Sequence, residues 1–261
     1  MAISLRSVCR KLLSFSADTL ARTQGFLFPE KFTWTWKFEM LLGRYEPETT
    51  AVFRKIIKPG MVVLDIGAHI GYFTRLFSVL AKANGKVYAF EADDANYSLL
   101  ENNTRACRNT ALVKKAVAYA DGTVDFYHVE NSTGCHSTIK PSSPAQKVSV
   151  LAVSIDSFAA SKHIPRIDVI KMDIEGGEPS ALRGMHATIY ANPHIILISE
   201  FNPRAIAAGG KDPAAYIHEI ESYGLSVHAI TAAGLVLVSS DTIAEHLDRR
   251  VGSVNVLCKK I

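Results

Sequence analysis

Two apolar stretches of the sequence each end in an acidic residue, and this pattern is typical of a nucleoside-binding site. The first stretch runs into Asp65 and is followed by Gly67 and Gly71, and the second ends at Glu91. Glycines permit a sharp turn, and the amide groups at the start of a following helix can bind a ligand. A carboxylate at the end of the second strand can accept hydrogen bonds from both ribose hydroxyls. Together the two motifs predict a nucleoside site.

The spacing of the glycines indicates which nucleoside cofactor fits. Gly67 and Gly71 form a G-x-x-x-G pattern, whereas the loop that binds a dinucleotide pyrophosphate usually reads G-x-G-x-x-G. The observed spacing therefore favours S-adenosylmethionine. In this interpretation Asp65 and Glu91 hold the amino-acid and ribose ends of the cofactor.

A second group of acidic residues lies between positions 168 and 179. Asp173 ends a predicted buried strand, and Glu175 follows in a glycine-containing turn. Ligands of open α/β sheets bind at this edge of the sheet, so we expect both carboxylates beside the reactive end of the cofactor. For Glu178, which precedes Pro179, a structural role at a helix N-terminus is the better explanation.

These residues suit methyl transfer to a hydroxyl group. The acceptor oxygen must be aligned with the methyl group and must lose its proton. Asp173, Glu175 or His136 could act as the base, and His136 differs from the other histidines because it lies in a loop rich in Ser and Thr. Alternatively, Asp173, Glu175 and Glu200 could bind a divalent metal such as Mg²⁺. The metal is the less favoured hypothesis, and no metal ligand is assigned.

The elements that must position these residues alternate between strands and helices. This alternation predicts an α/β fold with a doubly wound, mostly parallel, seven-stranded sheet of Rossmann-like type. Strands are predicted at residues 61–66, 86–91, 111–116, 167–172, 194–200 and 226–230, and helices at 71–83, 94–107, 179–190 and 213–222.

The alternation breaks at two points. Strands at residues 123–129 and 147–153 have no full helix between them, which predicts an inserted hairpin with a loop at 131–145. A final hairpin of residues 235–239 with 253–259 would add an antiparallel C-terminal strand to the sheet.

The N-terminal segment is the least predictable part of the chain. Basic and apolar residues alternate at helical spacing in the first 25 residues, which predicts a helix that packs on the domain. Peripheral membrane contact of this basic amphipathic helix is the less favoured alternative. The aromatic residues at 32–38 could form a strand or a lid. Residues 25–46 and the 131–145 loop are the expected determinants of acceptor choice.

Composition excludes several classes of protein. The chain has 261 residues, 48% of them hydrophobic, which suffices for one large core. No apolar run approaches the ~20 residues that a bilayer requires. The net charge is +4 and the 29 basic residues are dispersed, so dedicated nucleic-acid binding is not expected. The four cysteines (Cys9, Cys107, Cys135 and Cys258) form no C-x-x-C pair, which fits reduced thiols in a cytoplasmic protein.

The chain resembles the FkbM-type family of S-adenosylmethionine-dependent methyltransferases over about residues 43–230. The resemblance implies the class I methyltransferase fold and methyl transfer to a hydroxyl of a sugar, polyketide or other natural-product scaffold. His69 replaces a more usual Asn, and Gly177 replaces a common Ala. The motifs that carry the resemblance are Gly43-Arg-Tyr-Glu-Pro47, residues 65–74, Phe90-Glu91-Ala92, Asn102-Asn103, residues 168–178, Leu182-Arg-Gly184 and Glu200.

The resemblance also implies a set of site residues. Asp173 and Glu175 would line the methyl end of the cofactor. The predicted cofactor contacts are Asp65, Gly67, Ala68, His69, Gly71, Tyr72, Phe73, Glu91, Ala92, Val117 and Asp173. Residues 1–45 are predicted as an N-terminal helical or lid segment, and residues 46–261 as the methyltransferase domain.

Two alternatives to a methyltransferase stay open at this point. A nicotinamide-dependent oxidoreductase would share Gly67, Gly71 and Glu91, but the glycine spacing and the lack of a Tyr-x-x-x-Lys pair count against it. A non-catalytic nucleoside-binding protein would have no use for Asp173 and Glu175. The expected partner of the favoured enzyme is a small hydroxylated acceptor.

Overall fold

The part of the chain that the structure describes contains ten α-helices, eleven strands and a short 3-10 helix at Ile243–His246. The computed structural model describes residues 5–30, 32–129, 136–141 and 144–260, with side chains from residue 13 onward. The helices are α1 Leu5–Thr23, α2 Trp34–Leu41, α3 Pro47–Ile56, α4 Tyr72–Ala81, α5 Asp94–Thr104, α6 Ile155–Ser161, α7 Glu178–Arg183, α8 His186–Ala191, α9 Pro203–Ala208 and α10 Pro213–Ser222. The strands are β1 Val62–Ile66, β2 Lys86–Phe90, β3 Thr110–Val113, β4 Ala116–Val117, β5 Gly122–Val129, β6 Ala145–Val153, β7 Val169–Met172, β8 Ile196–Phe201, β9 Leu225–Thr231, β10 Gly234–Leu237 and β11 Val254–Lys260.

The main sheet is mostly parallel, as predicted. Its strand order is β10-β9-β11-β8-β7-β1-β2-β3. Strands β1, β2, β3, β7 and β8 pair in parallel, and β11 runs antiparallel to both of its neighbours. The α/β fold with an antiparallel C-terminal strand is therefore confirmed.

Two details of the predicted sheet are wrong. The sheet has eight strands rather than seven, because β10 adds to its edge. β10 also pairs with β9, with Leu235 opposite Ile230, and not with β11 as the predicted hairpin required. Two residues separate β9 from β10, so they form a local hairpin. β11 instead lies between β8 and β9, where Val256 and Cys258 are fully buried.

Helices cover both faces of the main sheet because successive strand residues point to opposite sides. Val63 packs with Phe77 of α4 on one face. Leu64 packs with Leu182 of α7 and Ile217 of α10 on the other face. The carboxyl ends of β1, β2, β7 and β8 therefore meet at one uncovered edge, where open α/β sheets bind ligands.

The inserted hairpin is confirmed, and it belongs to a second small sheet. β5 pairs antiparallel with β6, and β4 joins β6 in parallel. Phe126 of β5 is buried in a small core with Ala92 and Ala116. Residues 131–135 and 142–143 of the predicted 131–145 loop, including Cys135, lie outside the described residues. Ser137 of this loop donates a hydrogen bond from its hydroxyl to the carbonyl of Glu175 at 2.7 Å. This contact fixes the hairpin beside the end of β7.

The N-terminal segment packs as two helices. The predicted first helix is α1, whereas the aromatic run predicted as a strand or a lid forms helix α2. Lys37 of α2 is 1% exposed and pairs with Asp18 of α1 at 2.7 Å, which fixes one helix on the other. Within the described residues, no helix is long and apolar enough to cross a membrane.

Asn103 of α5 ties the N-terminal segment to the glycine loop. Its amide oxygen accepts from the N–H of Leu27 at 2.6 Å, and its amide nitrogen donates to the carbonyl of Leu27 at 2.9 Å. The same nitrogen donates to the carbonyl of Ile70 at 2.7 Å. One side chain therefore sets the position of the chain around residue 27 relative to the loop that follows β1.

Candidate active site

A single cleft lies at the carboxyl edge of the sheet and contains most of the predicted site. It is bordered by the glycine loop, the ends of β2, β7 and β8, the inserted hairpin and the N-terminal segment. The predicted residues that line it are Gly67, His69, Glu91, Ala92, Val117, His136, Asp173 and Glu175. The predicted cofactor contacts outside its lining are Asp65, Ala68, Gly71, Tyr72 and Phe73.

Gly67 allows the loop to cross directly over the end of β7. Its φ is +76°, and a Cβ atom at this position would lie 1.8 Å from the carbonyl oxygen of Asp173. The amides of Gly67 and Ala68 donate to the carbonyl of Phe90 at 3.1 and 2.9 Å. Glycine is therefore required here by the neighbouring strand, and the loop is held close to the end of β2.

Glu91 faces the cleft and also holds the loop in place. One carboxylate oxygen accepts from the N–H of His69 at 2.8 Å, and the other accepts from the N–H of Asp93 at 2.9 Å. Burial raises the pKa of Glu91 to about 7, although these backbone amides oppose the shift. Each carboxylate oxygen can accept a further hydrogen bond, so the position suits ribose hydroxyls as predicted.

Asp65 does not reach the cleft, in contrast to the prediction of a direct cofactor contact. It is fully buried and accepts a hydrogen bond from the Thr74 hydroxyl at 2.5 Å. Its second oxygen lies 3.7 Å from the ammonium of Lys171. Burial raises the pKa of Asp65. The carboxylate therefore supports the loop from inside the sheet.

Tyr72 and Phe73, which were also predicted to contact the cofactor, are not among the residues that line the cleft. The ring of Tyr72 lies 5.4 Å from that of Tyr45, and Phe73 packs on Phe53 at 5.4 Å. Both rings belong to the apolar layer between α3 and α4, because the first turn of α4 must cover the sheet. A sequence alone does not show which face of this first turn meets the ligand.

Three of the predicted acidic residues meet at the end of the cleft. Asp173, Glu175 and Glu200 each place one carboxylate oxygen within 4.8 Å of the others. Burial and the charge of Asp173 raise the pKa of Glu175 to about 8 and that of Glu200 to about 9. Such a group can hold protons or a hard cation.

Lys171 lies beneath this group and is almost fully buried. Its ammonium is 3.4 Å from Asp173 Oδ2 and 3.4 Å from the carbonyl of Gly67. Burial alone would lower the pKa of Lys171, but the carboxylates of Asp173 and Asp65 hold it above the ordinary range. The lysine therefore stays charged and links the glycine loop to Asp173.

Glu46 is an acidic cleft residue to which the sequence analysis gave no individual role, although it lies in the 25–46 segment expected to determine acceptor choice. It precedes α3 with a φ of 43°, and its carboxylate accepts a hydrogen bond from the Asn255 amide of β11 at 2.9 Å. Burial raises its pKa to about 7, reinforced by the charge of Asp173. The signal available in the sequence was an acid directly before Pro47 within a motif of the FkbM resemblance.

Left-handed backbone conformations concentrate at this cleft. Among the described residues, five that are not glycine have a positive φ, and three of them (Glu46, His69 and Glu175) line the cleft. Such conformations cost free energy and persist where the surrounding structure imposes them, often at functional sites. The strained positions are an indication of function that is independent of residue type.

The structure brings His136 to the cleft but groups it with Asp93 and His128. Its Nδ1 atom accepts a hydrogen bond from the N–H of Val129 at 3.0 Å, and its Nε2 atom lies 4.0 Å from Asp93. Its ring is stacked on that of His128 with a centroid distance of 5.1 Å. Burial lowers the pKa of His136. These contacts place the ring beside the residues that follow β2.

The strand order of the main sheet and the cleft at its carboxyl edge are those of the class I methyltransferase fold. A solved structure described as a putative O-methyltransferase from Klebsiella pneumoniae superposes with a TM-score of 0.51 at 10% identity, over 95% of this chain and 90% of that chain. The family model for the methyltransferase FkbM domain matches residues 65–226. The chain therefore belongs to the FkbM methyltransferase family.

A curated relative has a more specific name. The chain is 26% identical over 151 residues to the hexuronic acid methyltransferase AglP of Haloferax volcanii. The matched region is 58% of this chain and 59% of the relative. The chain thus spans about three-fifths of the length of the curated relative that it matches.

Proposed function

We propose that the protein is an S-adenosylmethionine-dependent O-methyltransferase that acts on a hydroxyl of a small molecule. The observation that carries this proposal is the meeting of the glycine loop, Glu91, Asp173 and Glu175 in one cleft. Membership of the FkbM family supports methyl transfer. The name of the Haloferax relative favours a sugar over a polyketide as the acceptor.

The chain offers matching groups for each part of the cofactor. Ala92 and Val117 supply apolar surface for a base, and Glu91 supplies acceptors for the ribose hydroxyls. The glycine loop then leads to Asp173, which lies beneath the crossing point of Gly67. His69 replaces the more usual Asn of the loop, and burial lowers its pKa to about 4, so its ring is uncharged at neutral pH.

Catalysis follows from positioning and from removal of one proton. When bound, S-adenosylmethionine supplies an electrophilic methyl group. Asp173, held by the ammonium of Lys171 at 3.4 Å, orients the acceptor hydroxyl by accepting its hydrogen bond. The carboxylate of Glu175 takes the hydroxyl proton, since its pKa of about 8 suits a base near neutral pH. We assign His136 to the nucleoside end of the cleft, because its ring faces Asp93.

Isothermal titration of the purified protein tests the proposal. S-adenosylmethionine, S-adenosylhomocysteine and NADH are titrated in parallel, and release of S-adenosylhomocysteine is then measured with hydroxylated acceptors. We expect binding of the two sulfur nucleosides without NADH. Binding of NADH alone would indicate an oxidoreductase. A third outcome would indicate a non-catalytic binding protein: the parent protein shows no turnover, and the Asp173→Asn variant still binds the cofactor.

A divalent metal at Asp173, Glu175 and Glu200 remains the less favoured mechanism. The three carboxylates are close enough to bind Mg²⁺, but the same group serves proton transfer without one. Turnover that is unchanged after dialysis against EDTA would support the metal-free mechanism. Loss of turnover that Mg²⁺ restores would contradict it.

A further inference from the structure

The cleft combines an aromatic surface with an unusual concentration of carboxylates. We call Phe32, Trp36 and Tyr45 the aromatic wall, and all three line the cleft from the N-terminal segment. We call the carboxylates of Glu46, Asp173, Glu175 and Glu200 the acidic chamber. From this combination we infer that the acceptor is an uncharged pyranose that stacks on Trp36 and donates its hydroxyls to the acidic chamber, and that sugar carboxylates are rejected.

Trp36 is the part of the aromatic wall that is available to a ligand. Phe32 and Tyr45 are more than half-buried, whereas Trp36 is 45% exposed. Its ring meets that of Phe32 edge-on at 5.7 Å, and Phe32 in turn lies 5.9 Å from His69 of the glycine loop. The indole is therefore held at the cleft with apolar surface left uncovered. A pyranose ring has an apolar C–H face that can cover it.

The acidic chamber suits the hydroxyl groups of the same ring. Carboxylate oxygens accept hydrogen bonds, and protonated carboxyl groups can also donate them. One oxygen of Glu200 is buried and has no hydrogen-bond partner among the described residues. A buried carboxylate oxygen that accepts no hydrogen bond costs free energy. A hydroxyl of the bound sugar would supply the missing hydrogen bond.

Charge excludes a uronate from this position. Among the described residues that line the cleft, Lys115 is the one lysine or arginine, and it lies next to β4 rather than in the acidic chamber. Lys171 lies beneath the chamber, but its ammonium is buried and already paired with Asp65 and Asp173. A sugar carboxylate would add a fifth carboxyl group beside four others, and like charges brought together oppose binding. The inferred acceptor therefore differs from the one in the name of the Haloferax relative.

This inference rests on the proposed function, and one experiment separates the two. Cofactor binding is measured by titration, and S-adenosylhomocysteine release at pH 8 is measured with methyl glycosides of glucose, galactose and mannose. The matched uronates and their uncharged methyl esters are tested in parallel. We expect turnover of at least one neutral glycoside and of the methyl ester of its matched uronate. The kcat/KM for the matched uronate itself should be lower by a factor of about ten or more.

Variants of the two tryptophans test the stacking contact. Trp36→Ala should raise the KM for the neutral sugar about fivefold to tenfold, with the affinity for S-adenosylmethionine unchanged, and Trp36→Phe should recover part of the loss. Trp34→Ala is the matched control, because Trp34 packs on Phe38 and lies outside the cleft lining.

Each other outcome overturns part of the argument. Equal turnover of a uronate, or no turnover of any neutral glycoside by protein that binds the cofactor, refutes the inferred acceptor and leaves the cofactor assignment intact. A Trp36→Ala variant that loses cofactor affinity instead would place the indole against the nucleoside. Protein that binds neither sulfur nucleoside would refute the proposed function itself.

Discussion

Replacement of Lys171 by Met should destabilise the protein strongly, because two carboxylates lose their buried counter-ion. The Lys171 ammonium lies 3.7 Å from Asp65 and 3.4 Å from Asp173. Asp65 is fully buried. In the variant, the hydrogen bond from the Thr74 hydroxyl would be its one remaining polar contact with a described side chain. Breaking a buried ion pair from one side costs about 3–5 kcal/mol. For a domain of this size, the melting temperature should fall by about 6–20 °C.

The pH dependence of the loss identifies its cause. In the parent protein the pKa of Lys171 is raised, so its contribution to stability is complete below its ordinary pKa and is lost only as the pH rises through the higher folded value. In Lys171→Met the pKa of Asp65 rises further above its unfolded value. A carboxyl group whose pKa is raised in the folded state destabilises that state increasingly as the pH rises above the unfolded pKa, because the unfolded chain loses the proton first. The penalty should therefore be largest at pH 8 and should shrink toward about pH 4.

Urea unfolding at pH 5 and pH 8 measures this loss. The double variant Lys171→Met, Asp65→Asn is the control, since it removes both charges and should recover a substantial part of the stability. A loss under about 1 kcal/mol at pH 8, or an equal loss at both pH values, would refute the argument. The same would hold if the double variant were no more stable than Lys171→Met.

Three further predictions concern the cleft. Asp173→Asn should lower kcat by about a hundredfold or more while the protein stays folded, and retained release of S-adenosylhomocysteine would remove Asp173 from the mechanism. Gly67→Val should abolish binding of S-adenosylmethionine in a titration, because its Cβ would overlap the Asp173 carbonyl at a φ of +76°; unchanged affinity would contradict the loop assignment. The kcat should rise as the pH rises through about 8, because Glu175 must be unprotonated to accept a proton. This rise should disappear in Glu175→Gln. A kcat of the parent protein that does not change with pH would mean that another residue is the base.

The sequence predicted the central part of the fold and the carboxylates of the site for a simple physical reason. Strands that alternate with helices become parallel, and their carboxyl ends then meet at one edge. Glu91, Asp173 and Glu200 each stand at or directly after such an end, so their proximity follows from topology. The position of β10 did not follow, because an edge strand of four residues has little periodicity to distinguish it.

The direction of individual side chains and the N-terminal segment were harder to predict. Asp65 and Glu91 have the same sequence signature, yet Asp65 points into the sheet and Glu91 into the cleft. Trp36 and Glu46 reach the cleft through tertiary contacts of their segments, such as those of Asn103 with Leu27 and of Asn255 with Glu46. Contacts between residues so far apart in the sequence leave no local pattern. A cytoplasmic location, the absence of dedicated nucleic-acid binding and the domain boundary near residue 45 stay predictions.

The region matched by the family model includes only part of the cleft. The family model matches residues 65–226, which include the glycine loop and Glu91, but the aromatic wall and Glu46 lie before the matched region. The partner of Glu46, Asn255, lies after it. Asp173, Glu175 and Glu200 of the acidic chamber, in contrast, lie within the matched region together with the glycine loop. Phe32 and Trp36 can therefore change without a change in the residues proposed to hold the methyl donor. Sequence likeness within the matched region consequently reports on the glycine loop, Glu91 and these carboxylates, and it carries no information on Trp36, the residue inferred to stack on the sugar.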